Sequence, residues 1–317
     1  MKTRRAVLTA PRKIEIQETE VEPGPGQVLV KVAACGLCNW EQNHWKGLLG
    51  QCPQTLGHEW GGTVAAVGPG VTILGPGDVV TGLPESLTGF ADYVVASAGM
   101  CAKLPAGFPA DHALGEPLKC IVTVLRGTAP ESGDVGVVLG CGPMGLWCIQ
   151  GMAGRLPAAL IAVDVFDHKL ALASKFGATH TVNAKKEDAV ARIREISNGH
   201  MADFVIDGTG APEILNTAVQ YLKERRGRLA MMSTHERVCR EFDWRPVQDK
   251  GITIMGTHPP FSEDEPEDFR RMALLLANGT FRMEEVITHR FALADIQEAF
   301  ETLENKPDDY LKGVVVP

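Results

Sequence analysis

Two short stretches hold most of the residue types that could do chemistry. "CGLCNWEQNHW", Cys35 to Trp45, gathers two cysteines, a glutamate, a histidine and two tryptophans, and "LGHEWGG" follows with His58 and Glu59 on a turn just before a strand. Cys38 lies twenty residues ahead of His58, at the end of another strand. Thiolate, imidazole and carboxylate together suit a catalytic zinc ion, which takes three protein ligands and keeps a fourth position open. Spacing alone leaves other readings standing. Cys38 also reads as a small buried hydrophobe, His58 as a hydrogen-bonded turn residue, and Cys35 with Cys38 as a C-x-x-C redox or zinc-ribbon pair. A ribbon needs a second C-x-x-C to complete four thiolates, and the sequence has none.

A second constellation is "GCGPMG", where Gly140, Gly142 and Gly145 have G-x-G-x-x-G spacing and Pro143 suits the first turn of a helix. Glycines there allow a tight turn and close approach of a pyrophosphate to unpaired N–H groups at the helix N-terminus. The next apolar run, "ALIAVDV", ends in Asp164, near the ~20 residues downstream at which an acid meets the ribose hydroxyls. A carboxylate accepts hydrogen bonds from a free 2′-hydroxyl and repels a 2′-phosphate, so NAD is expected over NADP. Nucleotide contacts are expected at Gly140, Gly142, Pro143, Met144, Gly145, Asp164, Lys169 and Thr209.

The elements that must position these groups fall into two textures. The first 110 or so residues read as short strands punctuated by Gly and Pro: "KIEIQETEV", "QVLVKVAAC" with Val28, Val30 and Val32 alternating, "GGTVAAVG", "GDVVTGL" and "FADYVVAS". From Val135 apolar runs alternate with helical segments: "VGVVLG", "ALIAVDV", "THTVNA", "ADFVIDG", "GRLAMMS" and "GITIMG". A β-rich, barrel-like domain and a doubly wound parallel sheet follow, with an α/β fold class overall. In "EDFRRMALLLANG" Phe269, Met272, Ala273 and Leu276 make one apolar face; Ile296, Ala299, Phe300 and Leu303 do the same in the last helix.

The chain has 317 residues, enough for two ordinary cores. Its net charge is −8, from 31 basic and 39 acidic residues, with no basic cluster longer than "ERRGR", so a nucleic-acid partner is not expected and a small-molecule one is. Eight unevenly spread cysteines do not form a secreted disulfide framework, and a reducing, cytoplasmic setting is expected. "MKTRRAVLTAP" lacks the apolar core of a signal peptide, and no apolar run is long enough to span a bilayer.

"CGLC", "GHE", "GEPL", "VVLGCGPMG", "VDV", "IDGTGAP" and "ITHRF", in this order and nearly end to end, resemble the zinc-dependent medium-chain dehydrogenase/reductase superfamily, most of all its sorbitol (polyol) dehydrogenase branch. The resemblance implies a GroES-like catalytic domain over residues 1–121 and 286–317, a Rossmann domain for NAD over 122–285, and a homodimer or homotetramer. It implies that Cys38, His58 and Glu59 ligate or border the zinc and that Glu116 of "GEPL" holds the metal's water or itself binds. Either Glu59 or Glu116 can then be the third ligand.

Two departures stand out. Relatives commonly carry a four-cysteine lobe for a structural zinc between "GHE" and "EPL", whereas the interval from Trp60 to Gly115 holds only Cys101; one zinc per chain and no structural zinc are expected. Relatives also read C-x-S-D or C-x-T-D and pass the substrate proton through the hydroxyl, where this chain has Trp40, whose indole donates but cannot relay. Glu41 keeps a carboxylate able to bond a metal ligand from behind. His44 is the favoured proton carrier, since an imidazole accepts and releases protons near neutrality, against a surface histidine packed beside Trp45.

The function expected is NAD-dependent oxidation of a secondary hydroxyl. Glu41, Asn43, His44, Glu116, Lys119 and Arg290 would be costly to dehydrate around an apolar alcohol, which favours a sugar alcohol, cyclitol or sugar derivative. A zinc-free NADPH-dependent quinone or enone reductase, and a dinucleotide-binding protein without turnover, are the alternatives.

Overall fold

The basic residues Arg4 and Arg5 conceal a strand that the sequence did not suggest. β1 (Lys2–Ala10) buries Thr3, Ala6, Val7 and Leu8, and pairs antiparallel with β2 (Lys13–Glu20). It belongs to a computed structural model that describes residues 1–83, 85–154, 157–234 and 237–317. Two compact units result, Met1–Lys119 with Phe269–Pro317, and Cys120–Asp268. Both divisions fall inside helices rather than in linkers. Residues 269–285, expected with the coenzyme domain, group instead with the first unit: Met272 packs where a Cβ on Gly115 would be, and Phe281, Met283 and Val286 are buried.

The first unit is built on β3 (Gln27–Gly36), whose alternating Val28, Val30 and Val32 are all buried. The chain continues through α1 (Asn39–Trp45), β4 (Gln54–Thr55), β5 (Glu59–Val67), β6 (Val79–Gly82), β7 (Tyr93–Ser97) and β8 (Cys101–Lys103) to α2 (Gly115–Thr128). A seven-stranded sheet has β3 at its centre, with β5 antiparallel along its length, β7 on its first half and a C-terminal strand at its far end. Trp45, Trp60, Phe90 and Phe300 anchor the core.

The second unit follows β9 (Val135–Leu139), α3 (Pro143–Met152), β10 (Ala159–Asp164), α4 (Asp167–Lys175), β11 (His180–Asn183), α5 (Ala189–Ile196), β12 (Phe204–Asp207), α6 (Leu215–Tyr221), β13 (Arg228–Met231), α7 (Arg245–Lys250) and β14 (Thr253–Gly256). All six expected strands form. They pair in parallel in the order β11-β10-β9-β12-β13-β14, the doubly wound order whose ligand crevice lies beyond the carboxyl ends at the switch between β9 and β12. α8 (Glu265–Ala277) leads back to the first unit and buries Phe269, Met272 and Leu276, with Ala273 half-buried and Gly279 at φ 77° beyond its end. β15 (Ile287–Ala292), α9 (Ile296–Asn305) and β16 (Lys312–Val316) complete the chain, and α9 buries Ile296, Ala299, Phe300 and Leu303. Among the described residues no helix is long and apolar enough to cross a membrane.

Candidate metal centre and coenzyme site

Strand register explains how residues twenty apart meet. Gly36, last in β3, pairs with Glu59, first in β5, so Cys38 and His58 emerge side by side off the end of the sheet. One donor atom each from Cys38, His58 and Glu59 lies within 4.8 Å of the others. His58 Nε2 is 4.0 Å from Glu59 Oε1 and 3.7 Å from Glu116 Oε2, the latter from the first turn of α2. A half-buried thiol, a buried imidazole and a buried carboxylate converging in this way fit a divalent cation of borderline softness such as zinc.

Glu41 stands behind His58. It is fully buried on α1; its Oε1 accepts the Gly57 N–H at 2.5 Å and lies 3.1 Å from His58 Nδ1, which turns Nε2 toward the donor cluster. Burial opposes the charged form of His58, but the Glu41 carboxylate and the Cys38 sulfur outweigh it and raise the imidazole pKa well above its ordinary value. Cys35 is a core residue, its thiol pushed up by burial and by the Glu41 and Glu59 carboxylates, which removes it as a ready nucleophile or ligand.

α1 is only seven residues long, yet Glu41, Gln42, Asn43, His44 and Trp45 are all buried. Trp45 fixes the helix: its ring stacks on Phe300 with centroids 5.9 Å apart, and the Arg12 guanidinium sits 4.7 Å above it. His44 is not a surface residue beside Trp45. It is 7% exposed, meets the edge of the Trp40 ring at 4.4 Å, and places Nδ1 3.0 Å from Gln54 Oε1. His44 Nε2 is buried and makes no hydrogen bond among the described residues. Trp40 also stands edge-on to His58 at 5.4 Å. Lys119 is buried, and Arg290 pairs with Asp111 at 2.9 Å.

Sequence reasoning missed Lys312. Val314 of β16 pairs antiparallel with Gly36, which carries Lys312, two residues earlier, alongside the start of α1. Its Nζ reaches Glu59 Oε2 at 2.5 Å and donates to the Leu37 carbonyl at 2.9 Å, and the Glu59 and Cys38 charges raise its pKa against burial. The only hint in the sequence is a lysine set in the apolar run "YLKGVVV".

In the second unit Gly140 has φ 90°, and a Cβ on Gly145 would lie 2.0 Å from the Gly140 carbonyl oxygen. Space over Gly142 is open, as close approach of a pyrophosphate requires, and Pro143 and Met144 begin α3. Asp164 ends β10 with its carboxylate engaged on backbone: Oδ2 accepts Cys141 N–H at 2.7 Å, and Oδ1 accepts Val165 and Phe166 N–H at 2.6 and 3.0 Å. It therefore braces the glycine turn it stands beside. Lys169 holds its ammonium 4.6 Å above the Phe166 ring, and Thr209 donates through both N–H and hydroxyl to Asp207 Oδ1.

Residues 24–106 match the alcohol dehydrogenase GroES-like domain and residues 143–278 match zinc-binding dehydrogenase. An L-threonine 3-dehydrogenase of Bacillus licheniformis is 31% identical, covering 87% of this chain and 88% of its own. An erythritol/L-threitol dehydrogenase of Mycolicibacterium smegmatis is 30% identical over 67% of this chain and 57% of its own. The crystal structure of 2R,3R-butanediol dehydrogenase from Bacillus subtilis superposes with a TM-score of 0.85 at 26% identity, covering 99% of both chains. With its donor cluster, its glycine turn and these likenesses, the chain belongs to the zinc-dependent medium-chain dehydrogenase/reductase superfamily.

Proposed function

We propose that this chain is a NAD-dependent dehydrogenase acting on a secondary hydroxyl of a polyhydroxylated small molecule, with one zinc ion per chain. The observation that carries the reading is the convergence of Cys38, His58 and Glu59. L-Threonine, erythritol or threitol, and butanediol, the compounds named for its relatives, all place a secondary hydroxyl beside a carbon bearing a second polar group. The buried polar residues of α1 favour such a molecule over an apolar alcohol, beside which they would be costly to dehydrate.

Bound at these donors, zinc supplies Lewis acidity that makes a hydroxyl a better hydride donor, and NAD supplies the acceptor. Cys38, His58 and Glu59 hold the metal, Glu41 sets the His58 ring, and Glu116 faces the same cluster from α2. Asp164 stands where a free 2′-hydroxyl is favoured over a 2′-phosphate. His44, held with Nδ1 beside Gln54 Oε1, takes the proton in place of the hydroxyl that Trp40 replaces.

The test is a panel of polyols, cyclitols, aldoses, butanediol, L-threonine and simple alcohols, followed by NADH absorbance. Turnover of polyols well above ethanol or 2-propanol supports the reading. Activity confined to L-threonine would move the substrate to an amino-flanked alcohol, and a preference for simple apolar alcohols would overturn it.

A further inference from the structure

Lys312 is 6% exposed, and its ammonium is set between two acceptors, the Leu37 carbonyl and Glu59 Oε2. A charge placed so deep persists only when paired and hydrogen-bonded. The pair also has space reserved for it: a Cβ on Gly36 would lie 2.0 Å from Glu59 Oε2 and 3.1 Å from Lys312 Cε. Glycine at this position is what lets the carboxylate and the lysine stem cross the end of β3. Glu59 is thereby divided, with Oε2 on Lys312 and Oε1 on the side of His58 Nε2. Around it stand the Cys38 thiol and the buried Glu41 carboxylate, so the cluster concentrates acidic groups in a place that water barely reaches.

We propose that Lys312 is a positioning residue of the metal centre: it holds Glu59 through one oxygen, which limits Glu59 to single-oxygen donation beside Cys38 and His58, and it keeps the donor cluster assembled before metal arrives. The donation half rests on the metal reading given above; the assembly half rests on the ion pair alone.

The experiment compares the full-length wild type with Lys312→Met, Glu59→Gln and the double variant. Metal-free melting reads the pair. Removing one partner of a buried pair strands the other, so Lys312→Met should melt at least about 5 °C lower, and the double variant, with no stranded charge, should recover most of that loss. Added zinc should raise the melting temperature of Lys312→Met more than that of the wild type, because the metal restores a positive charge beside Glu59. Cobalt substitution reads the donation: with Glu59 released to donate through both oxygens, Lys312→Met should show weaker visible d–d absorption, the sign of higher coordination. A metal-free Lys312→Met that melts with the wild type, or a double variant no more stable than the single, overturns the assembly role. Should Lys312→Met fail to fold, a folded double variant supports the pair and an unfolded one overturns it. Cobalt spectra that match between Lys312→Met and wild type overturn the single-oxygen role. Absence of a thiolate-to-cobalt band in the wild type overturns that role and the metal reading together, while the melting comparison still decides the pair.

Discussion

At the scale of single residues the sequence showed chemistry more readily than it showed partners. Cys38, His58 and Glu59 were legible because their types are informative, and the structure brings them together. His44 was ambiguous by spacing; the structure buries it against the Trp40 edge and beside Gln54, ten positions away in β4. His44→Ala should lower the oxidation rate about 10²-fold near neutral pH, with added imidazole restoring part of it and zinc content unchanged. A variant with wild-type rate and pH profile would make His44 a packing residue. The Asp164 carboxylate braces the glycine turn, and selection of NAD is the further task proposed for it. Asp164→Ser should narrow the preference for NAD over NADP by roughly tenfold, the order of one charged hydrogen bond, as read from kcat/KM for the two coenzymes. Faster reduction of NADP than NAD by the wild type would show that Asp164 does not select the coenzyme.

At the scale of elements, alternation and turn residues revealed the six parallel strands and the two amphipathic helices, because each carries its own period. β1 stayed hidden behind Lys2, Arg4 and Arg5, and Lys312 behind its distance in sequence: its partners Leu37 and Glu59 lie far up the chain, and only the β3–β16 register connects them. Gly36→Ala tests that junction. With a Cβ 2.0 Å from Glu59 Oε2 the carboxylate must move, so the variant should lose about 1–3 kcal/mol in denaturant unfolding and bind zinc more weakly. Unchanged stability and metal affinity would show that the end of β3 yields easily. β1 is fastened by Asp92, which accepts the Arg4 guanidinium and backbone N–H and is held below the usual carboxylate range, first by the Arg4 hydrogen bond. A depressed folded pKa contributes stability above the unfolded value, near ~3.9, and loses it as pH falls through the folded one. Asp92→Asn should therefore cost at most about 1 kcal/mol at neutral pH, Arg4 being half exposed, and the difference from wild type should shrink as melting is measured toward pH 3. A difference that stays constant over that range would point to packing rather than charge.

For the whole molecule, the two units divide the labour that their sequence textures announced. The β-rich unit assembles thiol, imidazole and carboxylate where β3 ends and β5 begins, and the parallel-sheet unit presents a glycine turn beyond β9. Everything proposed about the reaction depends on the first of these holding a metal. The most direct measurement is the zinc content of the purified, dialysed protein beside that of a Cys38→Ser/His58→Ala double variant, with circular dichroism to confirm that both are folded. One zinc per chain in the wild type and its loss in the double variant is the result predicted; two zinc ions per chain, or full zinc retention in the double variant, would contradict the assignment.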